Sequence, residues 1–464
     1  MLPIAAAVGV AQLVAAVVGG GYWFDEVYML AIGRHHLDWG SADQSPIVPV
    51  LAALMDRVAP GSIIALRLPA VVATAAAVVV AALIARELGG DRRAQVLTAG
   101  AQATALWITL AGHWLTPYTV EPVQWLVLVW LLVRWIRVRD DRLLPVLGLV
   151  VGVAAETKFQ VLLLCAVLAV AVLALGPREL LRRPMLWLGT GIAALIASPT
   201  LIWQAVHGWP QLQMGAVVAS EADALYGGRT GVALALVLVP GIVGVPLALY
   251  GLWRLLRAPE LRPYRFLAAT FLALFAFFVT TPGRPYYLGG LDGLLVAAGA
   301  IGLQRRREAG RTRLRWMAWA AYVVATAAAV ATLVVSTSIT RSDVGEDIAG
   351  RTAAAYHALP PDQQARTVVM GQSYILAAYL DGYSTAYGLP QAYSSNRSYG
   401  YFPPPPDGAD AVLYVGSGPD EVAPYFADVR KVADGGADAS VWLCTGRREP
   451  WASFWPQLRH LTVS

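Results

Sequence analysis

Asp25 and Glu26 stand directly after an apolar run, within Phe24-Asp25-Glu26-Val27-Tyr28. A carboxylate at a lipid–water boundary is placed to act as a base toward a lipid-borne substrate. The same residues admit a plainer reading, with Asp25 capping a helix and Tyr22, Trp23 and Phe24 forming an interfacial aromatic belt. A second carboxylate, Glu121, follows a short polar turn that includes His113 and begins another apolar run. An acid at membrane depth is costly unless used or paired, although a helix N-terminus also favours one. The third candidate is Lys158, one of two lysines in the chain, within Glu156-Thr157-Lys158-Phe159-Gln160. Its compact ammonium suits a phosphate, or else it is the partner of Glu156 in a simple turn. Arg284, with its neighbours Tyr286 and Tyr287, either lines the same cavity or anchors the interface, and Arg67, early in the second apolar run, is placed to snorkel outward. His35, His36 and His113 lack a fixed ligand spacing and give little support for a metal.

The elements that must position these groups are membrane helices. The chain has 464 residues, 57% hydrophobic and 14% charged, against about 25% charged in typical soluble domains. A bilayer core takes about 20 apolar residues per helix. Apolar runs at 2–20, 62–84, 94–111, 119–133, 143–156, 158–175, 185–205, 230–252, 266–281, 286–303 and 316–337 predict about eleven spans. The stretch 143–175, interrupted by Glu156 and Lys158, is too long for one helix and short for two. Met1–Gly20 lacks a basic leader and reads as a retained first helix.

Arginines cluster after every even span, at 86–93, 134–142, 178–183, 254–265 and 305–315. The positive-inside rule places those loops and the N-terminus in the cytoplasm. The alternation holds only if 143–175 is two helices. The loops 21–61, 112–118, 206–229 and 282–285 then face outward, with the residues after 340. A net charge of +5 does not point to nucleic acid, because these arginines sit between apolar runs, where they anchor helices. Cys165 and Cys444 are not expected to pair.

Glu26 to Leu37 has helical spacing, with Met29, Leu30, Gly33 and Leu37 near one face, and predicts a helix lying along the membrane surface. Asp43-Gln44-Ser45-Pro46 is a polar turn before the next apolar segment. Residues 341–464 read as a small α/β domain. Strands are expected at Arg366–Met370, Ala411–Val415 and Val441–Cys444, and helices at Ser373–Leu380 and Glu421–Ala427. No glycine-rich phosphate loop follows a strand. The loop Gln391–Pro406 carries Tyr393, Asn396, Tyr399, Tyr401 and Phe402, aromatic and hydrogen-bonding groups that suit a sugar or acceptor, or form a plain connection.

Four motifs in this order resemble the GT-C class of membrane glycosyltransferases, in the dolichyl-phosphate-mannose-protein mannosyltransferase-like family 39, which also contains aminoarabinose transferases. They are Phe24-Asp25-Glu26-Val27-Tyr28, Asp43-Gln44-Ser45-Pro46, Thr119-Val120-Glu121-Pro122 and Gly152 to Phe159. The resemblance covers residues 1–340, with a fainter echo at Gln372–Asp381 and Tyr387–Pro390. Glu121 stands where the family more often has Asp, and Ser45 where it has Pro.

The resemblance implies a GT-C fold of about eleven transmembrane helices at 1–340, with an extracytoplasmic α/β domain at 341–464, in a bacterial inner membrane. It implies an inverting transfer from a polyprenyl-phosphate-linked sugar to a glycan, lipid or protein acceptor, without metal or cofactor. Asp25 and Glu121 are then the catalytic candidates, and Lys158, Arg284 and Arg67 the donor-phosphate cations. Glu26, Tyr28, His35, Asp43, Gln44, His113, Tyr286, Tyr393 and Asn396 are the candidate substrate-binding residues. The rival classes are a flippase of lipid-linked sugars, which would show a repeated helix topology, a ligase of lipid-linked glycans, and a non-catalytic scaffold.

Overall fold

A computed structural model describes residues 1–310, 315–341 and 344–462; Arg311 and Arg313 of the last basic cluster lie outside the described residues. The chain divides into two compact units. One comprises Met1–Ala16, Arg67–Ile202 and Val218–Thr337. The other comprises Val17–Leu66, Trp203–Val217 and Ser338–Ser464.

The first unit is all helical. Among the described residues, seven helices are long and apolar enough to cross a membrane: Leu2–Gly19, Ile63–Glu87, Pro117–Val138, Pro184–Val206, Pro259–Thr280, Pro285–Glu308 and the helix Arg315–Arg341. An eighth forms if the pair Gly228–Leu238 and Gly241–Arg257, bent by 93°, counts as one span. Leu143–Ala155 and Gln160–Leu175 are apolar but shorter.

Two runs expected to be single spans are therefore broken. The stretch 94–111 splits into Arg92–Ala103 and Leu106–Ala111. At the break the Leu106 N–H donates to the Val239 carbonyl at 2.9 Å rather than to its own helix. Val239 precedes Pro240 and Gly241, whose φ of 80° ends one helix and turns the chain into the next. The 143–175 stretch is two helices, as the arginine alternation requires, with Glu156 at the C-cap of the first.

Glycines set the helix spacing here. A Cβ on Gly148 would lie 2.0 Å from the Gly189 carbonyl oxygen, and one on Gly251 would lie 1.8 Å from that of Leu295. Lipid supplies no hydrophobic drive between helices, so such close approach replaces it with dispersion contact. At one end Glu87, wholly buried, accepts from Arg134 at 2.9 Å and Arg137 at 2.6 Å.

The second unit is built on a five-stranded mixed sheet of order β2-β1-β3-β5-β4. Its strands are β1 (Thr367–Gly371), β2 (Ala392–Tyr393), β3 (Ala411–Gly416), β4 (Phe426–Gly436) and β5 (Ala439–Arg447). β1 runs parallel to β2 and β3; β5 is antiparallel to β3 and β4. Met370, Val412, Tyr414, Trp451 and Phe454 form its core with the helix Trp451–Leu458. The helix expected at Glu421–Ala427 is instead a short 3-10 turn running into β4. Ala437 and Asp438, with φ of 47° and 64°, close a hairpin of the primed kind that matches strand twist and commits the preceding residues to β4. β4 is an edge strand carrying Asp428, Arg430, Lys431 and Asp434, with register shifts near Lys431 and Asp434.

Helix Phe24–His35 belongs to this unit and is largely covered by protein. Val27 to Ile32 are all buried. Helices Ile47–Val58 and Tyr374–Gly382 pack against it. Gly33 admits the Pro49 carbonyl, from which a Cβ would stand 2.5 Å, and Gly382 admits Val27 at 2.2 Å. Arg34, which suggests a polar face in the sequence, forms a two-pronged pair with Asp56 at 2.7 and 2.8 Å.

Candidate functional site

In the sheet-containing unit, Asp25 lies in the first turn of helix Phe24–His35 and is half-buried. Its Oδ1 stands 3.5 Å from the Tyr374 hydroxyl. The N-cap is Trp23, not Asp25, and Glu26 closes the cap by accepting the Trp23 N–H at 2.9 Å. Glu26 is fully buried, so that contact places it in the helix start.

Asp43 meets four side chains of this unit. Its Oδ1 accepts from Tyr28 Oη at 2.8 Å and from Ser398 Oγ. Its Oδ2 accepts from Gln44 Nε2 at 3.2 Å and faces Arg397 Nη1 at 3.7 Å. The Arg397 guanidinium lies 4.5 Å from the centre of the Tyr374 ring, the residue whose hydroxyl approaches Asp25. A run of contacts thus joins Asp25, Tyr374, Arg397 and Asp43. Arg397 has φ of 49° and its N–H donates to the His460 carbonyl at 2.8 Å. A non-glycine residue there stores about 1–3 kcal/mol and persists only where neighbours over-determine it.

The other candidates in this unit each meet protein groups. Asn396 is fully buried; its Oδ1 accepts the Tyr374 N–H at 3.1 Å and its Nδ2 donates to the Thr462 carbonyl at 2.6 Å. Tyr393 is half-buried against Trp455. His35 stands 3.8 Å from Asp381. Asp381 is fully buried and accepts from Tyr399 Oη at 2.6 Å and the Ala392 N–H at 2.7 Å. Burial pushes its carboxyl up to about 7, against those hydrogen bonds. His36 is stacked on Phe402 and drops to about 4 through burial, so near neutral pH the ring is uncharged.

In the helical unit, Glu121 and Lys158 come together, with Oε2 and Nζ 3.7 Å apart. Lys158 also lies 4.3 Å from the ring centre of Tyr287 and 5.1 Å from that of Tyr286. Tyr286 in turn packs on Trp107 and Tyr118. Arg284 pairs with Glu221 and faces the Tyr226 ring. Arg67 is fully buried and donates to the Ala16 carbonyl at 3.1 Å, so it does not snorkel. His113 is equally buried and bonds Gln12 at 2.9 Å. Glu156 accepts from Thr200, and the carboxylate facing Lys158 at 3.7 Å is that of Glu121.

Buried polar atoms without a hydrogen-bond partner occur in both units, and some belong to residues that meet Lys158 or the tyrosines beside it. Among the described residues they include Glu121 Oε1, Gln124 Oε1, Gln160 Oε1, Arg284 Nη1 and Trp107 Nε1. Native interiors satisfy most such atoms, so unsatisfied ones ask for a reason. No group of three or more His, Cys, Asp or Glu side chains among the described residues gathers as metal ligands do.

Sequence reasoning did not single out Tyr374, Arg397, Ser398, Gln124, Trp107 or Glu221. Gln124 carried a readable signal, since it lies three residues after Glu121 and so on the same helix face. Ser398 did not, because its partner Asp43 lies 355 residues away.

Residues 43–203, which include Asp43, Glu121 and Lys158, match the family model described as dolichyl-phosphate-mannose-protein mannosyltransferase. ArnT from Cupriavidus metallidurans bound to undecaprenyl phosphate aligns over 95% of this chain and 97% of that one, at 17% identity and TM-score 0.65. The same protein in its apo state aligns over 98% of both chains, at 16% identity and TM-score 0.68. The chain has the GT-C fold. The arabinofuranosyltransferase AftD from Mycobacteria aligns over 96% of this chain but only 40% of its own length, at 13% identity and TM-score 0.52. No curated protein sequence matches the chain significantly. The GT-C fold therefore rests on shape over the whole chain, and the family match on the segment that carries three of the sequence motifs.

Proposed function

We propose that the protein is an inverting glycosyltransferase, moving a sugar from a polyprenyl-phosphate donor to an acceptor hydroxyl on the extracytoplasmic side of the membrane. The observation that carries this reading is the surround of Lys158. A cation lies against two tyrosine faces, with Glu121 Oε1, Gln160 Oε1 and Arg284 Nη1 left unpaired near it. That set offers a positive charge to a phosphate and acceptors to sugar hydroxyls. The fold shared with a protein solved with undecaprenyl phosphate supports the same donor class.

In this reading the acceptor oxygen attacks the anomeric carbon as its proton passes to the Asp25 carboxylate. The bond from that carbon to the phosphate oxygen breaks, and polyprenyl phosphate leaves with the electron pair. Lys158, helped by Arg284, meets the negative charge that develops on the leaving oxygen. Glu121 holds Lys158 in place and offers Oε1 to the sugar. Tyr374 orients Asp25 through its hydroxyl. Asp43 and Arg397 hold the loop around Tyr374. Residues 341–464 contribute Tyr374 and Arg397, which stand beside Asp25 and Asp43 within their own unit.

Protein in sealed lipid vesicles is supplied with polyprenyl-phosphate-linked sugars and with glycan, lipid and protein acceptors. The product's anomeric configuration is read by NMR. An inverted product from wild type and none from Asp25→Asn is the expected result. A retained configuration sinks the direct displacement. Turnover that survives Asp25→Asn removes Asp25 as the base. Transbilayer movement of the donor without transfer replaces the enzyme reading with that of a flippase.

A further inference from the structure

The helical unit contains a cavity of about 1030 Å³ that none of the residues discussed above as catalytic touches. Its walls come from the helices Leu2–Gly19, Arg92–Ala103, Gly289–Glu308 and Arg315–Arg341. The wall residues run in register with charge. Ile4, Arg93, Arg306 and Arg307 and the early turns of the last helix mark one end; Gln12, Thr104 and Leu333 mark the other.

The interior is apolar in effect. The polar side chains in the wall are already bonded to protein: Gln12 to the Ile108 carbonyl, Thr104 to the Gly100 carbonyl, and Tyr322 to the Leu97 carbonyl. An occupant therefore meets mainly Ala, Val, Leu and ring carbon. From Ala318 to Leu333 the wall rises about 22 Å, at about 1.5 Å per residue. Half of a bilayer core is about 15 Å deep. The trough is thus deeper than one leaflet and takes an extended acyl chain along its length.

The charged end is not neutralised. Arg307 is paired with Asp91. Arg93 and Arg306 have no ion pair among the described residues, and Arg306 faces only the Tyr250 ring, at 5.9 Å. Apolar length with cationic groups at one end is the complement of an amphiphile with an anionic head.

We propose that this trough is a binding site for an anionic phospholipid of the leaflet beside the arginine clusters. One acyl chain lies between the last helix and the helices Leu2–Gly19 and Arg92–Ala103. The headgroup phosphate is held by Arg93 and Arg306. The lipid fills the space under the last helix, which makes few buried contacts of its own and docks through Tyr322 and the Ser336–Leu110 bond.

The test is native mass spectrometry of the full chain, delipidated and then titrated with phosphatidylglycerol, phosphatidylcholine or polyprenyl phosphate. One phosphatidylglycerol should bind in preference to phosphatidylcholine. Arg93→Gln with Arg306→Gln should weaken it about tenfold or more, since each basic group near a membrane surface contributes about 1 kcal/mol. Ala329→Trp, which fills the trough but leaves the arginines, should also abolish the adduct. A photoactivatable acyl chain on the wild-type protein should cross-link to Arg315–Arg341, which tests the site without relying on a variant that folds. Equal binding of the two phospholipids, preference for polyprenyl phosphate, or cross-links elsewhere overturns the proposal.

Discussion

In the sheet-containing unit, buried Asp43 meets Tyr28, Ser398, Gln44 and Arg397, so both its oxygens have partners. In the helical unit, buried Glu121 meets Lys158 with one oxygen and leaves the other without a partner. Both are carboxylates removed from water, and burial should impose a similar penalty on each. The difference lies in what remains unsatisfied. A fully bonded acid fixes a loop, whereas a half-bonded one beside a tyrosine-faced cation keeps capacity for something else. Asp25 falls between them, half-buried with a long contact to Tyr374.

Four experiments can break or sharpen that contrast. Asp25→Asn should lower kcat by about 10²–10⁴, the usual span for a lost general base, with little change in melting temperature. A large stability loss instead would make Asp25 a framework residue like Asp43. Lys158→Met should lower kcat by about 10²–10³, as removal of a charge-stabilising group does, and should also destabilise the helical unit by stranding Glu121. Adding Glu121→Gln should restore the melting temperature but not turnover; recovery of both would erase the distinction drawn here.

The third experiment varies pH. Burial raises Asp381 to about 7 in the folded protein, above its value of about 3.9 in an unfolded chain. The folded state therefore binds the extra proton between those values. Its contribution is fully present below about pH 4 and is lost as pH rises toward 7, at up to about 1.4 kcal/mol per pH unit. Melting temperature should fall over that window, and Asp381→Asn should flatten the fall. The smallest effect is expected from Asp43→Asn. It should cost about 1–2 kcal/mol in stability through weakened hydrogen bonds and leave turnover within a few-fold of wild type, measured at a temperature where both proteins are folded.

The sequence made some of this legible and hid the rest for physical reasons. Glu121 and Lys158 were conspicuous because a charge inside an apolar run is expensive and therefore rare. The helix at Phe24–His35 was readable from its spacing. Its burial was not, because Arg34 and the terminal histidines give it a polar look that Asp56 and Asp381 satisfy from elsewhere in the chain. Strand β4 was missed because its Asp, Arg and Lys residues weaken the strand pattern, and its identity is fixed by the hairpin with β5. Arg397 and Tyr374 are common residue types in polar segments, and only the folded chain shows that one stacks on the other. The broken run at 94–111 depends on a carbonyl at Val239, which no local pattern records.

The charged edge strand β4 has a consequence for how copies of the protein meet. An open strand edge is a template on which another chain can crystallise as further sheet. Here the outer strand is interrupted by two register shifts and carries side chains of both signs, including Arg430 and Lys431. Such an edge resists polymerisation through added strands. Replacing Arg430 and Lys431 together with Val and Thr would remove that guard and turn the sheet into a seed for fibres.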